Sequence, residues 1–333
     1  MGDLMHALPA LTDAQRNYPG ITFDWVVDEA FAEVPAWHPS VQNIYKSAHR
    51  RWRKNYWSSL TGGEFSSFYK SINENNYDVI IDAQNNVKSS VISFLRKGKV
   101  HGMDSNSVAE QPAYLAYKYR HFIDRKQHAI TRQRQLFASA LDYDMPLDAP
   151  DYNIKDNVFI VDQPPVEGPF LFLVHNASWT TKLWPESYWD ELIRLADVNG
   201  LQVVLPGGNT EELERAKTFA SKHANAIALP RMSLGELGSI IHQAEGAICC
   251  DTGLAHLTAI IGTPAITLYG PTSIDLIGTS GVSQIQLGAD LSDYPCVPCY
   301  KRQCHFNNQQ ENMSACMQAL KPEQVWNKLK AML

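Results

Sequence analysis

Three polar residues, Asp251, Thr252 and Gly253, separate a short apolar run from a helical pattern, and their types suit a phosphate site. Residues 246–250 are small and apolar enough for a buried parallel strand, and residues 264–269 form a second apolar run. In an open α/β sheet, ligands bind at the carboxyl ends of strands, where helix amides and the helix dipole favour anions. The turn is therefore a candidate nucleotide-phosphate site.

Asp251 has two other interpretations. It could simply cap the helix that follows, and this alternative stays open. The triplet D-T-G is also the signature of aspartic proteases, which need two such carboxylates sharing a proton. The chain has one D-T-G, and this triplet lies in an α/β pattern rather than an all-β one. The protease interpretation therefore fails.

The densest basic and aromatic stretch is H-R-R-W-R-K-N-Y-W at residues 49–57. Guanidinium groups bind carboxylates and phosphates, and tryptophan favours a membrane interface. A stretch of this kind is also found in RNA-binding proteins and in solvated loops. The formal net charge of the whole chain is −6, which argues against general nucleic-acid binding. We predict a local site for an anionic partner.

Four of the six cysteines form a C-terminal cluster with the spacing C-x2-C-x4-C-x11-C: Cys296, Cys299, Cys304 and Cys316. Four thiols that include a C-x-x-C pair resemble a structural zinc or iron-sulfur site. Reduced thiols on a loop are the simpler interpretation, and a disulfide is less expected in the cytoplasm. A structural metal site at these cysteines is thus a hypothesis.

The elements that must position these residues alternate along the chain. We predict strands at 21–27, 41–46, 77–82, 169–174, 201–205, 227–229, 246–250 and 264–269, and helices at 4–18, 64–74, 88–96, twice within 109–140, after 185, at 211–222, 233–243 and 321–333. Residues 144–162, rich in Pro and Asp, look like a linker. This order predicts two doubly wound α/β domains facing a cleft, at 1–150 and 151–320, with the helix at 321–333 crossing back to the first domain.

Length and composition agree with this plan. A chain of 333 residues is long enough for two domains with full cores, and 44% hydrophobic and 19% charged residues are ordinary for a globular protein. No apolar stretch approaches about 18 to 20 residues, and no signal peptide opens the chain, so a cytoplasmic protein is predicted. A doubly wound domain normally opens on a strand, whereas this chain opens on a helix after Met1, so we expect that a first N-terminal strand is missing.

The order of these features resembles the lipopolysaccharide heptosyltransferases of glycosyltransferase family 9, and among them the type I enzymes. The resemblance covers essentially the whole chain and is carried by L-P-A-L-T-D-A at 8–14, F-D-W-V-V at 23–27, R-R-W-R-K at 50–54, Y-D-V-I-I-D-A-Q at 77–84, K-x-W-P-E at 182–186 and D-T-G-L-A-H at 251–256. It implies a GT-B fold and inverting transfer of L-glycero-D-manno-heptose from ADP-heptose to the Kdo of Kdo-lipid A. It also implies that no metal cofactor is required, and that the protein is peripheral on the cytoplasmic face of the inner membrane.

The same resemblance implies roles by position. Asp3 would be the general base, and Lys182 would offset the charge that grows on departing ADP. The implied donor-binding residues are Ser178, Glu212, Met232, Asp251, Thr252, Gly253 and His256, and the implied acceptor-binding residues are Arg50, Arg51, Arg53, Lys54, Gln84 and Lys88. The chain departs from the family at Asn85, where the family has Gly, and in the turn at 177–181.

Three alternatives remain. The cysteine cluster resembles a C-x-P-C pattern in other members of the family, which favours a transferase for a later core heptose or for another nucleotide sugar. A nucleotide-sugar epimerase is a weaker alternative, because it would leave the basic stretch at 49–57 without a use. A non-catalytic metal or redox module built on the four cysteines is the alternative from another class.

Overall fold

The computed structural model describes residues 1–54, 63–96, 98–160, 165–305 and 314–333, without the side chains of residues 50, 53 and 54. It divides into two compact units, unit 1 at residues 3–155 and unit 2 at residues 156–333. The boundary lies within the predicted linker but later than residue 150. The reason is that residues 151–155 pack on unit 1, where Asp151 pairs with Arg16 and the Lys155 amide donates to the Trp37 carbonyl.

Unit 1 contains five strands and several helices among its described residues. The strands are β1 Phe23–Asp28, β2 Val41–Ser47, β3 Ile80–Ile81, β4 Val100–Met103 and β5 Tyr119–His121. The α-helices are α1 Gly2–Asn17, α2 Glu33–Ala36, α3 His49–Lys54, α4 Glu64–Ile72, α5 Val87–Leu95 and α6 Ala129–Leu141, with 3-10 helices at Glu29–Phe31 and Gln111–Ala116. The sequence patterns missed β4 and β5, because each is a short strand of mixed polarity.

All strand pairs of unit 1 are parallel, and they form a two-stranded piece, β1-β2, and a three-stranded piece, β3-β4-β5. Helix α1 is buried over residues 5–14. The Asp13 carboxylate of α1 lies in this interior. The guanidinium of Arg134, on α6, is 2.6 Å from it, and both side chains are almost fully buried. This pair joins α1 to α6.

Unit 2 is one six-stranded parallel sheet with helices between successive strands. Its strands are β6 Phe170–Val174, β7 Gln202–Leu205, β8 Ala226–Ala228, β9 Gly246–Cys250, β10 Ala265–Tyr269 and β11 Gln284–Gly288. Its α-helices are α7 Glu186–Val198, α8 Thr210–Lys222, α9 Leu234–Gln243, α10 Gly253–Ile261, α11 Ile274–Ile277, α12 Ala315–Gln318 and α13 Pro322–Lys330, with a 3-10 helix at Thr180–Lys182. The sheet order is β11-β10-β9-β6-β7-β8, so the doubly wound prediction is confirmed for this unit.

The C-terminal helix packs within unit 2, contrary to the expectation that it crosses to the first domain. Val325, Trp326 and Leu329 of α13 are buried in the core of unit 2 together with Leu192 and Ile193 of α7. This apolar stripe docks α13 against α7 and against β9 and β10 of the sheet. In the described part of the chain, none of the helices is both long and apolar enough to cross a membrane.

Candidate active site

The polar turns after β6 and β9 meet at the centre of unit 2. These two strands are neighbours, and the order of the sheet reverses between them, since β7 and β8 continue on one side and β10 and β11 on the other. Connections that leave in opposite directions open a crevice at the carboxyl ends of the two strands, which is where open α/β sheets bind ligands. The predicted donor residues at 178–182 and 251–253 line this crevice.

Lys182 and Asp251 form a buried ion pair there. The Lys182 Nζ lies 2.6 Å from Oδ2 of Asp251, with the two side chains 13% and 4% exposed. Thr272 donates its hydroxyl to the same oxygen at 2.6 Å. The carboxylate thus positions the lysine ammonium at the crevice, a role for Asp251 that differs from direct contact with the donor.

The N-terminus of α10 adjoins this pair. Thr252 is the N-cap residue, yet its hydroxyl makes no capping bond, and this buried oxygen has no hydrogen-bond partner among the described residues. The interpretation of Asp251 as an ordinary side-chain cap is not supported either, because Oδ2 points to Lys182 and Thr272. A helix N-terminus without a side-chain cap favours an anion, since its first amides keep their partial positive charge. His256, on the next turn of α10, is buried.

The loop after β6 is fixed by buried polar contacts. His175 is fully buried, and its Nε2 lies 2.8 Å from the side-chain amide of Asn176. Burial lowers the pKa of His175 to about 4, so the imidazole is neutral at neutral pH. Ser178 follows in this loop and is exposed.

A second loop, residues 294–305, packs against the loop after β6. The sequence patterns did not predict this contact. The Thr181 hydroxyl donates to the Lys301 carbonyl at 2.8 Å, and the Thr180 hydroxyl donates to the Arg302 carbonyl at 3.2 Å. The Trp179 ring lies between two cations, with Lys182 Nζ 5.0 Å and the Arg302 guanidinium 5.2 Å from its centre. The adjacent basic pair at 301–302 was a signal for this contact, since it is the only such pair within 290–305.

Glu212 and Met232 lie after β7 and β8, at the same edge of the sheet. The Glu212 carboxylate accepts from the Gly208 amide at 2.8 Å, while the Glu212 amide donates to Asn209, the N-cap of α8, at 3.0 Å. Glu212 thus stabilises the turn at the start of α8. Met232 is half-buried in the loop between β8 and α9. Both positions are compatible with the predicted binding of the donor.

The four C-terminal cysteines lie around one small cavity that Thr181 and Ser314 also line. All of them are free thiols, and burial raises the pKa of Cys316. Across the described ranges, no three His, Cys, Asp or Glu side chains are grouped to hold a metal ion. The arrangement of the described residues therefore does not support the structural metal site at Cys296, Cys299, Cys304 and Cys316.

Unit 1 presents its own polar turn at the carboxyl end of β3. Asp82 is buried and accepts from the amides of Gln84 and Asn85 at 3.0 and 2.9 Å and from the Tyr117 hydroxyl at 2.7 Å. Burial raises the pKa of Asp82, and the hydrogen bond from Tyr117 opposes this shift. These contacts fix the turn that leads into α5.

Asn85 explains why this chain can depart from the family at that position. Its backbone is left-handed, with φ of 52°, a conformation that glycine and asparagine adopt at least cost. Its side-chain carbonyl accepts from the Met103 amide at 2.7 Å. Asparagine therefore provides the turn that glycine provides elsewhere, and the exposed Gln84 and Lys88 flank it.

The remaining predicted residues of unit 1 have different surroundings. Asp3 is exposed in the first turn of α1. Arg51 of α3 is bound to two carboxylates, with guanidinium nitrogens 2.6 Å from Glu64 and 3.2 Å from Glu29. These bonds raise the pKa of Arg51 and hold α3 against α4. The side chains of Arg50, Arg53 and Lys54 lie outside the described residues, as does the stretch at 55–62.

A cavity of about 630 Å³ lies at the opposite edge of unit 1. Residues 17–21, Val79 and residues 140–142 line it, at the amino ends of β1 and β3. Its surface is mostly apolar, and it includes none of the predicted site residues. The polar residues at the carboxyl edges of the sheets are the better candidates for chemistry.

Comparison with known proteins identifies the family of this chain. The sequence profile described as glycosyltransferase family 9 (heptosyltransferase) matches residues 65–310. Lipopolysaccharide heptosyltransferase 1 of Pseudomonas aeruginosa is 42% identical over 343 aligned positions, covering 100% of this chain and 95% of that protein. The Salmonella typhimurium enzyme of the same name is 44% identical over 286 positions, covering 86% of this chain and 90% of that protein.

Solved structures give the same result. Escherichia coli heptosyltransferase WaaC with ADP matches with a TM-score of 0.86 at 38% identity, over 100% of this chain and 97% of that one. Escherichia coli heptosyltransferase II matches with a TM-score of 0.73 at 17% identity, over 99% of this chain and 95% of that one, and so shares the fold. These likenesses confirm the predicted GT-B type of α/β fold. The profile match, the identities and the structural likeness show together that this chain belongs to glycosyltransferase family 9, the heptosyltransferases.

Proposed function

We propose that this protein transfers L-glycero-D-manno-heptose from ADP-heptose to the Kdo of Kdo-lipid A with inversion. The observation that carries the proposal is the Lys182–Asp251 pair beside the N-terminus of α10 at the reversal of strand order. A lysine ammonium and free helix amides together suit a diphosphate. The two turns after β7 and β8 provide Glu212 and Met232 for the nucleoside.

The relatives support the donor. The solved structures similar to this chain include WaaC with ADP and, at 36% identity and a TM-score of 0.82, WaaC with ADP-2-deoxy-2-fluoro heptose. Lys182 would offset the negative charge on ADP as the bond from the anomeric carbon to the diphosphate oxygen breaks. Because Asp251 holds this lysine, its ammonium is oriented before the donor arrives.

Asp3 is the proposed base. An acceptor hydroxyl would lose its proton to the Asp3 carboxylate as its oxygen bonds to the anomeric carbon from the side opposite ADP, which inverts that centre. Asp3 is exposed in the first turn of α1, so its carboxylate can be reached by an acceptor hydroxyl.

The proposed acceptor is supported by the higher sequence identity of this chain to heptosyltransferase 1 than to heptosyltransferases 2 and 3. The chain is 42 to 44% identical to heptosyltransferase 1 proteins of three species, but only 20 to 22% identical to Escherichia coli heptosyltransferases 2 and 3. Gln84 and Lys88, together with Arg50, Arg53 and Lys54, would bind the Kdo carboxylates and lipid phosphates, whereas the Arg51 guanidinium is occupied by Glu29 and Glu64. An acceptor of this kind would place the protein at the inner membrane, on its cytoplasmic face.

The test is the mass of the acceptor lipid after incubation with ADP-heptose and a chelator. We expect Kdo-lipid A to gain one heptose. Kdo-lipid A that already carries a heptose should gain none, and UDP-glucose should not replace the donor. Transfer only to the preformed heptose would instead assign the chain to a later core step, and complete loss of transfer with the chelator would show that a divalent metal is required.

Variants separate the two proposed roles. Asp3→Asn should lower kcat by at least a hundredfold with little effect on ADP affinity, because it removes the base and keeps the shape. Lys182→Met should weaken ADP binding and lower kcat together. Lys217→Met is the matched control, since Lys217 is an exposed lysine of α8 that pairs only with Glu214 of the same helix. Equal activity in all three variants would refute the assignment of this site.

A further inference from the structure

Helix α5 exposes three of its apolar residues and buries two of its serines. Val87, Val91 and Phe94 lie on one face, at i, i+4 and i+7, and are 38%, 53% and 75% exposed. Ser90 and Ser93 are the buried residues of this helix. A helix of a globular protein normally places its apolar residues against the core, so an exposed apolar face of this size on α5 is unusual.

The serines explain how this orientation is tolerated. The Ser90 hydroxyl donates to the Val87 carbonyl at 2.9 Å, and the Ser93 hydroxyl donates to the Ser89 carbonyl at 3.1 Å. Both buried hydroxyls are thus satisfied within the helix and need no partner from the core. The exposed apolar face therefore does not result from packing requirements, and it is available for a partner.

The neighbouring element extends the same surface. The 3-10 helix at Gln111–Ala116 packs beside α5, and its Leu115 is 66% exposed. Arg120 flanks this helix, with its guanidinium 5.1 Å from the Tyr114 ring centre and its Nε bonded to the Tyr114 carbonyl. We call Val87, Val91, Phe94 and Leu115 the α5 apolar face.

The segment of the chain that carries this face is rich in basic residues although the whole chain is negative. Residues 85–130 contain eight Lys or Arg and three Asp or Glu, while the formal charge of the chain is −6. Of the three acidic residues, Glu110 is the one next to α5, where its carboxylate accepts from the Val87 amide. Lys88, Lys118 and Arg120 are exposed cations in this region.

We propose that the α5 apolar face docks on an anionic lipid bilayer, with Phe94 and Val91 entering the headgroup region and the surrounding cations meeting lipid phosphates. Apolar and basic residues on one surface are the combination that interfacial membrane binding uses. A second copy of this chain fits less well, because a symmetric contact would bring the two positive regions together. The inference rests on the proposed function in one respect: Gln84 and Lys88, at the start of α5, would then receive an acceptor whose acyl chains lie in that bilayer.

Vesicle flotation tests the proposal directly. Vesicles of phosphatidylethanolamine and phosphatidylglycerol should bind the full chain, and phosphatidylcholine vesicles should bind it less. The double variant Val91→Ser/Phe94→Ser should lower partitioning by about tenfold, since it removes two apolar side chains from the lipid contact. Lys118→Gln should lower it by about fivefold on the anionic vesicles only.

The controls separate this surface from the chemistry. Val198→Ser changes a valine of unit 2 that is more exposed than Val91, at 78%, and this variant should bind vesicles like the wild type. With a water-soluble Kdo oligosaccharide that lacks acyl chains, the double variant should keep wild-type turnover. Near-UV circular dichroism should show a native fold for each variant, because the changed side chains are outside the core.

The remaining outcomes are decisive. Wild-type partitioning of the double variant, or no vesicle binding by the wild type, would overturn the proposal. The proposal would also be overturned if the double variant lost self-association but kept vesicle binding, since this face would then be an interface between copies of the chain. If no acceptor gains heptose but the double variant still loses vesicle binding, the docking surface stands and the proposed transferase function fails.

Discussion

The Lys182–Asp251 pair gives the most quantitative prediction, because both side chains are nearly buried and their contacts are few. Lys182→Met leaves the Asp251 carboxylate 4% exposed and held only by the Thr272 hydroxyl among the contacts described here. A hydrogen bond from a neutral hydroxyl does not neutralise a buried charge. Removing one partner of a buried ion pair typically costs about 3 to 5 kcal/mol in free energy of unfolding.

The magnitude here falls at the lower end of that range. Thr272 still solvates the carboxylate after the change, so we expect Lys182→Met to cost about 3 kcal/mol. Asp251→Asn should cost about 2 kcal/mol, since the 13% exposed lysine can turn towards water. The double variant should cost about 2 kcal/mol less than the sum of the two, because the second change no longer breaks the pair.

The assay is native-state hydrogen exchange followed by mass spectrometry, read on peptides that cover β9 and α10. This readout is local, which matters because a chain of two units need not unfold in one step. A cycle of Lys217→Met and Glu214→Gln provides the surface control, and its coupling should stay below about 0.5 kcal/mol. If the buried pair also proved additive within about 0.5 kcal/mol, the argument from burial would be refuted.

Three further predictions concern unit 1. Asn85→Gly should cost about 1 kcal/mol less free energy of unfolding than Asn85→Ala, because the left-handed φ of 52° strains alanine; urea unfolding of both variants checks the difference. Burial lowers the pKa of His38 to about 4, and its Nδ1 accepts from the Ser40 amide. Below pH 6.5 the unfolded chain therefore binds more protons than the folded chain. About 2 to 3 kcal/mol of the free energy of unfolding should be lost as the pH falls from 6.5 to 4. His38→Gln should reduce this loss, and a pH dependence as steep as that of the wild type in this variant would contradict the prediction. Arg134→Met should cost about 3 to 5 kcal/mol by leaving the Asp13 carboxylate buried without its cation, whereas Arg134→Met with Asp13→Leu should recover most of it in the same urea assay.

Much of unit 2 could be predicted because its local patterns agree with its tertiary structure. Its five predicted strands and the helices between them are all present, with small shifts in their ends, and Ser233 caps α9 as expected. Buried parallel strands appear as apolar runs, and capping residues mark helix starts, so neither feature depends on distant residues. β11 was missed because glutamines interrupt its apolar pattern.

Unit 1 was harder to predict for a physical reason. β4 and β5 together have only seven residues and include two histidines, which stack on each other with ring centres 5.2 Å apart. Their strand conformation comes from pairing with neighbours rather than from local preference. The sequence also could not predict the orientation of α5, because an amphipathic pattern does not show which face of a helix packs on the core.

The sequence by itself determined the family and the α/β alternation, and it placed Lys182 and the D-T-G turn among the candidate site residues. These follow from residue types and local spacing. Only the tertiary structure decided that Asp251 binds Lys182 and Thr272, that Arg51 is bound to two glutamates, and that α5 exposes its apolar face. Each of these depends on which charges and surfaces the fold brings together or leaves in water, and residues far apart in the chain decide that.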